Sequence, residues 1–194
     1  MKERTRESLR AAAFEATFVV LGVVLAFAAS EWREDRERAE RARHILASIL
    51  TEIETNRVSV AASREYHSGL LAAIKAAGQT SAPPDLRTFS RGFVSPANVY
   101  RTAWDSASAT GAFEDIDYST ILKLSRVYAQ QDRYERQAQS ISPLLYGEIY
   151  REGTLAVLAN YRNLASLIHT FVYREEELLE TYGQTLADFQ PPKP

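Results

Sequence analysis

The 194-residue sequence predicts an all-α protein in which an N-terminal transmembrane helix continues into a bundle-like helical extramembrane domain. Three observations predict it. Residues Ala11–Ser30, AAAFEATFVVLGVVLAFAAS, carry a single charge, Glu15. Beyond Trp32, apolar residues recur at spacings of three and four almost to the C-terminus. No stretch keeps the alternation and flanking turn residues that mark strands. With 45% hydrophobic and 25% charged residues, the composition fits one folded domain with an appendage and excludes a disordered chain. A net charge of −2 speaks against a nucleic-acid partner. The absence of cysteine removes disulfides, thiolate metal sites and cysteine nucleophiles.

Residues 1–10, MKERTRESLR, form a basic leader. Residues 11–32 form the transmembrane helix. The 20 residues from Ala11 to Ser30 match a hydrocarbon core of about 30 Å at roughly 1.5 Å per residue. Glu15 falls about one turn inside one interface, and Trp32 marks the other, as amphipathic aromatics do. A cleaved signal peptide is a competing reading, because Ala26-Phe27-Ala28 resembles a small-x-small cleavage site. Glu3, Glu7 and Glu15 speak against it. A buried helix of a water-soluble protein is another, but the VVLGVVLAFAA run is apolar on every face. The leader holds four Lys/Arg and Trp32–Arg43 holds five, so the positive-inside count does not settle orientation. A short basic leader favours an N-terminus inside, which places the bulk of the protein in a periplasm-like space beyond a bacterial inner membrane.

Ala12, Glu15, Val19, Gly22, Ala26 and Ala29 follow spacings of three and four and so share one helix face. Gly22-x-x-x-Ala26 is a small-x-x-x-small pair that lets backbones approach closely in lipid. The face is read as a self-association surface, with Glu15 turned inward in an oligomer. The plainer reading is a helix of small residues whose interfacial Glu15 reaches for water.

Residues 33–78 read as a helical extension. Arg33–Arg43 alternates acid and base, a solvated face that compensates its own charge. Leu46, Ile49, Leu50 and Ile53 then start an apolar stripe, continued by Val60, Tyr66, Leu70, Leu71 and Ile74. Gly78 and Pro83-Pro84 end it in a loop over 79–95. Residues 96–190 form a helical domain packing on the extension. Ser95-Pro96 reads as a cap with proline at the first helical position, opening a short helix that stops near Gly111. Asp117 or Ser119 opens another helix, with Ile121, Leu124, Val127 and Tyr128 inward. Ser142-Pro143 repeats the cap-and-proline device before the last helical region. There Val157, Tyr161, Leu164, Ile168, Phe171, Leu178 and Tyr182 form one stripe, flanked by Leu158, Ala165, Val172, Leu179 and Leu186. A four-helix arrangement is expected, with Trp104 buried under the turn at Gly111 and residues 191–194 as a disordered tail.

The chemistry-bearing patterns are absent from the sequence. Its eight glycines are never closer than six apart, so no phosphate-cradling loop is formed. There is no G-x-S-x-G or S-x-x-K. His44, His67 and His169 are scattered. Glu40 and His44 lie one turn apart and could share a metal, but an exposed surface pair is the simpler reading. His169 is read as a packed or capped core histidine. Most of the ten tyrosines, including Tyr146 and Tyr150 on one face, are read as packing residues with wet hydroxyls. No catalytic, cofactor-binding or metal-binding residue is expected, and no cofactor.

Two segments together resemble a family of bacterial single-pass membrane proteins described only as a domain of unknown function. One is Glu15-x-x-x-Val19-Val20-x-Gly22-Val23-x-x-Ala26, ending in Trp32. The other is Thr102-Ala103-Trp104-Asp105-Ser106-x-x-x-Thr110-Gly111-x-Phe113, followed by Ile116 and a helix reaching Tyr128. The resemblance implies a membrane anchor with a helical extramembrane domain, and brings no reaction or ligand. The expected partners are therefore the lipid bilayer, further copies of the chain and other membrane proteins. The leading expectation is a non-enzymatic scaffold or accessory subunit. The alternatives are an oligomeric pore with Glu15 facing its lumen, and a membrane-anchored sensor whose helical domain binds a ligand.

Overall fold

The computed structural model describes residues 2–79 and 83–190, with side chains from Phe18 onward except Val19. Among the described residues every regular element is helical: α1 (Lys2–Gln79), α2 (Thr102–Ala109), α3 (Tyr118–Glu152), α4 (Thr154–Ala159) and α5 (Tyr161–Asp188). Two single 3₁₀ turns, Leu86–Phe89 and Ala112–Asp115, punctuate the connections. The chain divides into two compact units, Met1–His44 and Ile45–Pro194.

The first unit is the leading part of α1. Arg33–Glu37, Arg36–Glu40 and Arg38–Glu34 pair one turn apart along its charged stretch. Each partner is more than half exposed, so each pair adds little stability. Among the described residues no helix is long and apolar enough to cross a membrane. The side chains of residues 11–17 and 19, which belong to the expected span, lie outside that description.

The second unit is built on heptad spacing. In α1, Ile49, Ile53, Asn56, Val60, Ser63, His67, Leu70 and Ile74 are all buried, at intervals of four and three. Leu124, Val127, Gln131, Tyr134 and Leu145 do the same in α3. In α5 the stripe is Leu164, Ile168, Phe171, Glu175, Leu178, Tyr182 and Thr185. Such seams let side chains of one helix fill the gaps of its neighbours. Glu52 meets Tyr128 and Asn56 meets Gln131, so α1 and α3 run in parallel. Gln131 meets Tyr182 and Tyr134 meets Glu175, so α5 runs antiparallel to α3.

The expected four-helix layout is replaced by three long helices and an extended strap. The strap, residues 91–101, returns along α1 from Tyr66 towards Glu52 and leads into α2. Ser95-Pro96 therefore lies in extended chain, and the helix assigned to it starts only at Thr102. The reason is tertiary: the N–H groups of Ser95, Ala97 and Tyr100 donate to buried side chains instead of to a helix. The second cap-and-proline expectation is also corrected. Pro143 sits inside a continuous α3, where it forgoes one backbone bond while Leu145 and half-buried Ile141 keep the flanking turns on the core. The helix ends instead at Gly153, whose φ of +82° suits a residue without Cβ. Asp117 does cap α3, accepting from the Thr120 N–H at 2.9 Å.

Candidate functional site

An extended strap without strand partners leaves its peptide groups to be satisfied by side chains. Three tiers of polar residues on and beside the helix seams hold the strap and the first turn of α2. At the first, the Glu52 carboxylate accepts the Tyr128 O–H at 2.7 Å and the Ala103 N–H at 2.8 Å. At the second, Asn56 donates to the Tyr100 carbonyl at 2.7 Å and accepts the Tyr100 N–H at 2.8 Å. Gln131 donates to the same carbonyl at 3.0 Å and accepts the Tyr182 O–H at 2.8 Å.

The third tier is the most chemically suggestive. Fully buried His67 and Glu175 meet at 2.9 Å, Nδ1 to Oε1, and the Tyr134 O–H donates to the same oxygen at 3.2 Å. The Tyr134 oxygen accepts the Ala97 N–H at 2.6 Å. His67 Nε2 accepts the Ser95 N–H at 2.9 Å, so the ring proton is assigned to Nδ1 and is donated to Glu175. Burial, reinforced by Glu175, pushes the Tyr134 phenol well above its ordinary range. Burial and then Glu52 do the same for Tyr128, and burial and then Glu135 for Tyr182. These phenols therefore stay protonated, as hydrogen-bond donors to buried acceptors must. No buried side-chain polar atom among the described residues lacks a partner.

An imidazole between a carboxylate and a free site could act as a general base. Here Nε2 is occupied by a peptide N–H, and both side chains are sealed from solvent. The arrangement fixes the strap and its register and offers a substrate no access. Apolar periodicity does not single out Asn56, Gln131 or Glu175. The available signal was that each sits at a heptad position between apolar neighbours.

The residues expected to carry function lie elsewhere. Ala12, Glu15 and Val19 fall outside the described side chains. Gly22, Ala26 and Ala29 are exposed, and a Cβ built at Gly22 would meet nothing within 4 Å. Trp32 is 66% exposed, with the Arg36 guanidinium 5.8 Å above its ring. Phe18, Val20, Leu21, Val23, Val24, Leu25 and Phe27 are 49–72% exposed. At 100° per residue they spread over about 220° of the helix circumference, and the remaining arc carries Gly22, Ala26 and Ala29.

Three smaller expectations are corrected or refined. His169 is exposed, because it lies one position past the buried Ile168. Tyr146 and Tyr150 are 53% and 91% exposed, since they fall off the α3 seam marked by Leu145. Trp104 is half-buried, between Phe113 at 4.7 Å and Tyr128 at 4.9 Å. Glu40 bonds to Arg36, and no group of three metal-ligating residues occurs among the described residues. No protein family, curated protein or solved structure matches this chain.

Proposed function

We propose that this protein is a single-pass, membrane-anchored helical protein that works without catalysis, as a self-associating scaffold or an accessory subunit of a membrane assembly. The observation that carries the reading is the exposed apolar surface formed by Phe18, Val20, Leu21, Val23, Val24, Leu25 and Phe27. Contiguous apolar area of this kind, rimmed by charge, calls for lipid or another protein to cover it. Because its large side chains span about 220° of the helix, a single docking helix would leave part of them wet, whereas lipid covers them all. The uncharged run Ala16–Ser30 and the interfacial Trp32 supply the matching sequence pattern. The basic leader stays on the cytoplasmic side of the inner membrane, and the bundle lies in the periplasm.

Association follows from the Ala12, Glu15, Val19, Gly22, Ala26 and Ala29 face. The test is the mass of the full-length protein in nanodiscs, by native mass spectrometry. A defined homo-oligomer that Gly22→Leu shifts towards monomer supports the self-association reading, because a bulky side chain holds the helices apart. A wild-type monomer, or an oligomer indifferent to Gly22→Leu, refutes that interface.

A further inference from the structure

We propose that the groove between the end of α1 and the start of α5 binds a single-chain amphiphilic anion, of the fatty-acid or monoalkyl-phosphate class. The groove is open to solvent and offers about 590 Å³. Its floor is apolar: Ile74 is 3% exposed, and half-buried Leu71 and Ala165 continue it. The Tyr161 ring closes one end, 3.6 Å from where a Cβ on Gly78 would stand. Around this floor stand Lys75 from α1 and Arg162 and His169 from α5, all exposed. No carboxylate lines the groove.

Most cations of the bundle outside the groove pair with a carboxylate. Arg57, Arg64, Arg101, Lys123, Arg136, Arg151 and Arg174 each pair with a carboxylate. Among the described residues no carboxylate pairs with Lys75, Arg162 or His169, and the Arg162 guanidinium rests 5.9 Å from the Tyr161 ring centre. Basic groups on two facing helices, with no acid between them, match an anionic head; Arg and Lys are the usual ligands of carboxylate and phosphate. The apolar floor between them matches an alkyl chain.

The test uses full-length protein in phosphatidylcholine nanodiscs, titrated by calorimetry with octyl phosphate, inorganic phosphate and octyl glucoside. Octyl phosphate is expected to bind saturably and at least tenfold more tightly than either of the others. Lys75→Gln and Arg162→Gln are each expected to weaken it about tenfold or more, the usual worth of one charged hydrogen bond. Arg151→Gln, which removes a cation paired with Glu148, should leave binding unchanged. All three substituted side chains are exposed, so the variants fold. Equal binding of octyl glucoside, or octyl phosphate binding that ignores Lys75→Gln and Arg162→Gln, overturns the proposal. Binding to phosphatidylglycerol vesicles that depends on the same two residues, without binding of free octyl phosphate, also overturns it, in favour of a bilayer surface.

Discussion

Removing either partner of the His67–Glu175 pair should destabilise the bundle severely, and removing both should cost far less than the two losses together. Glu175→Leu leaves two buried donors without acceptors, the His67 Nδ1–H and the Tyr134 O–H. His67 cannot escape by moving its proton to Nε2, because the Ser95 N–H already points there. His67→Leu strips Glu175 of its closest donor and leaves the Ser95 N–H unpaired. Each single change should cost about 3–5 kcal/mol, the loss typical of breaking a buried pair. In the double variant only the Ser95 N–H and the Tyr134 O–H go unpaired, at about 1–3 kcal/mol each. Its loss, about 2–6 kcal/mol, should therefore fall short of the summed singles, about 6–10 kcal/mol, by about 4 kcal/mol. Guanidinium unfolding of the full-length protein in detergent, followed by far-UV circular dichroism, measures all three. Additivity within about 0.5 kcal/mol would refute the hydrogen-bond assignment.

Other expectations follow from single sites. Trp104→Ala should cost about 2 kcal/mol, less than for a fully buried tryptophan, because Trp104 is only half enclosed by Phe113 and Tyr128; chemical denaturation reads it. Gly111→Val should cost about 1–2 kcal/mol, since φ is +69° there, and Gly111→Asn should cost less. Acidification should lower the unfolding temperature. Hydrogen bonds from Arg57, Ser119 and Arg174 hold the Glu54, Asp117 and Glu177 carboxyls below their usual range. Their stabilisation is present above the ordinary carboxylate pKa of about 4 and is lost as pH falls through the folded values. Burial raises Glu135 and works in the opposite sense. An unfolding temperature that stays flat or rises from pH 6 to pH 3 would contradict this balance.

Most apolar seam positions are legible in the sequence, but Tyr134 and Leu145 in α3 lie outside the stripe that spacing marks there. Val60, Leu70 and Ile74, and Leu164, Ile168, Phe171, Leu178 and Tyr182, were read from spacing, and all are buried. Asn56, His67, Gln131 and Glu175 occupy the same registers but were skipped, because periodicity counts polar residues as surface. Their burial follows from the strap, and the strap is a tertiary object. Nothing local distinguishes Ser95-Pro96, held extended by three side chains, from a genuine helix start. Ser142-Pro143 misled in the opposite direction, since packing on both sides carries α3 through the proline. Of the two candidate starts, Asp117 and Ser119, the structure selects Asp117, whose capping bond needs only its own three following residues. The cationic groove was not legible, because Lys75 and His169 lie 94 positions apart and meet only when α1 and α5 pack.

The central claim is that the apolar surface around Phe18–Phe27 lies in lipid. The direct measurement is extraction of membranes containing the full-length protein with alkaline carbonate, beside a Val24→Arg variant. The account predicts that the wild-type chain stays in the membrane pellet. It also predicts that the arginine, at about 2.5–3.5 kcal/mol near the middle of a span, releases a clear fraction into the supernatant. Wild-type protein found in the supernatant, still folded by circular dichroism, would contradict it.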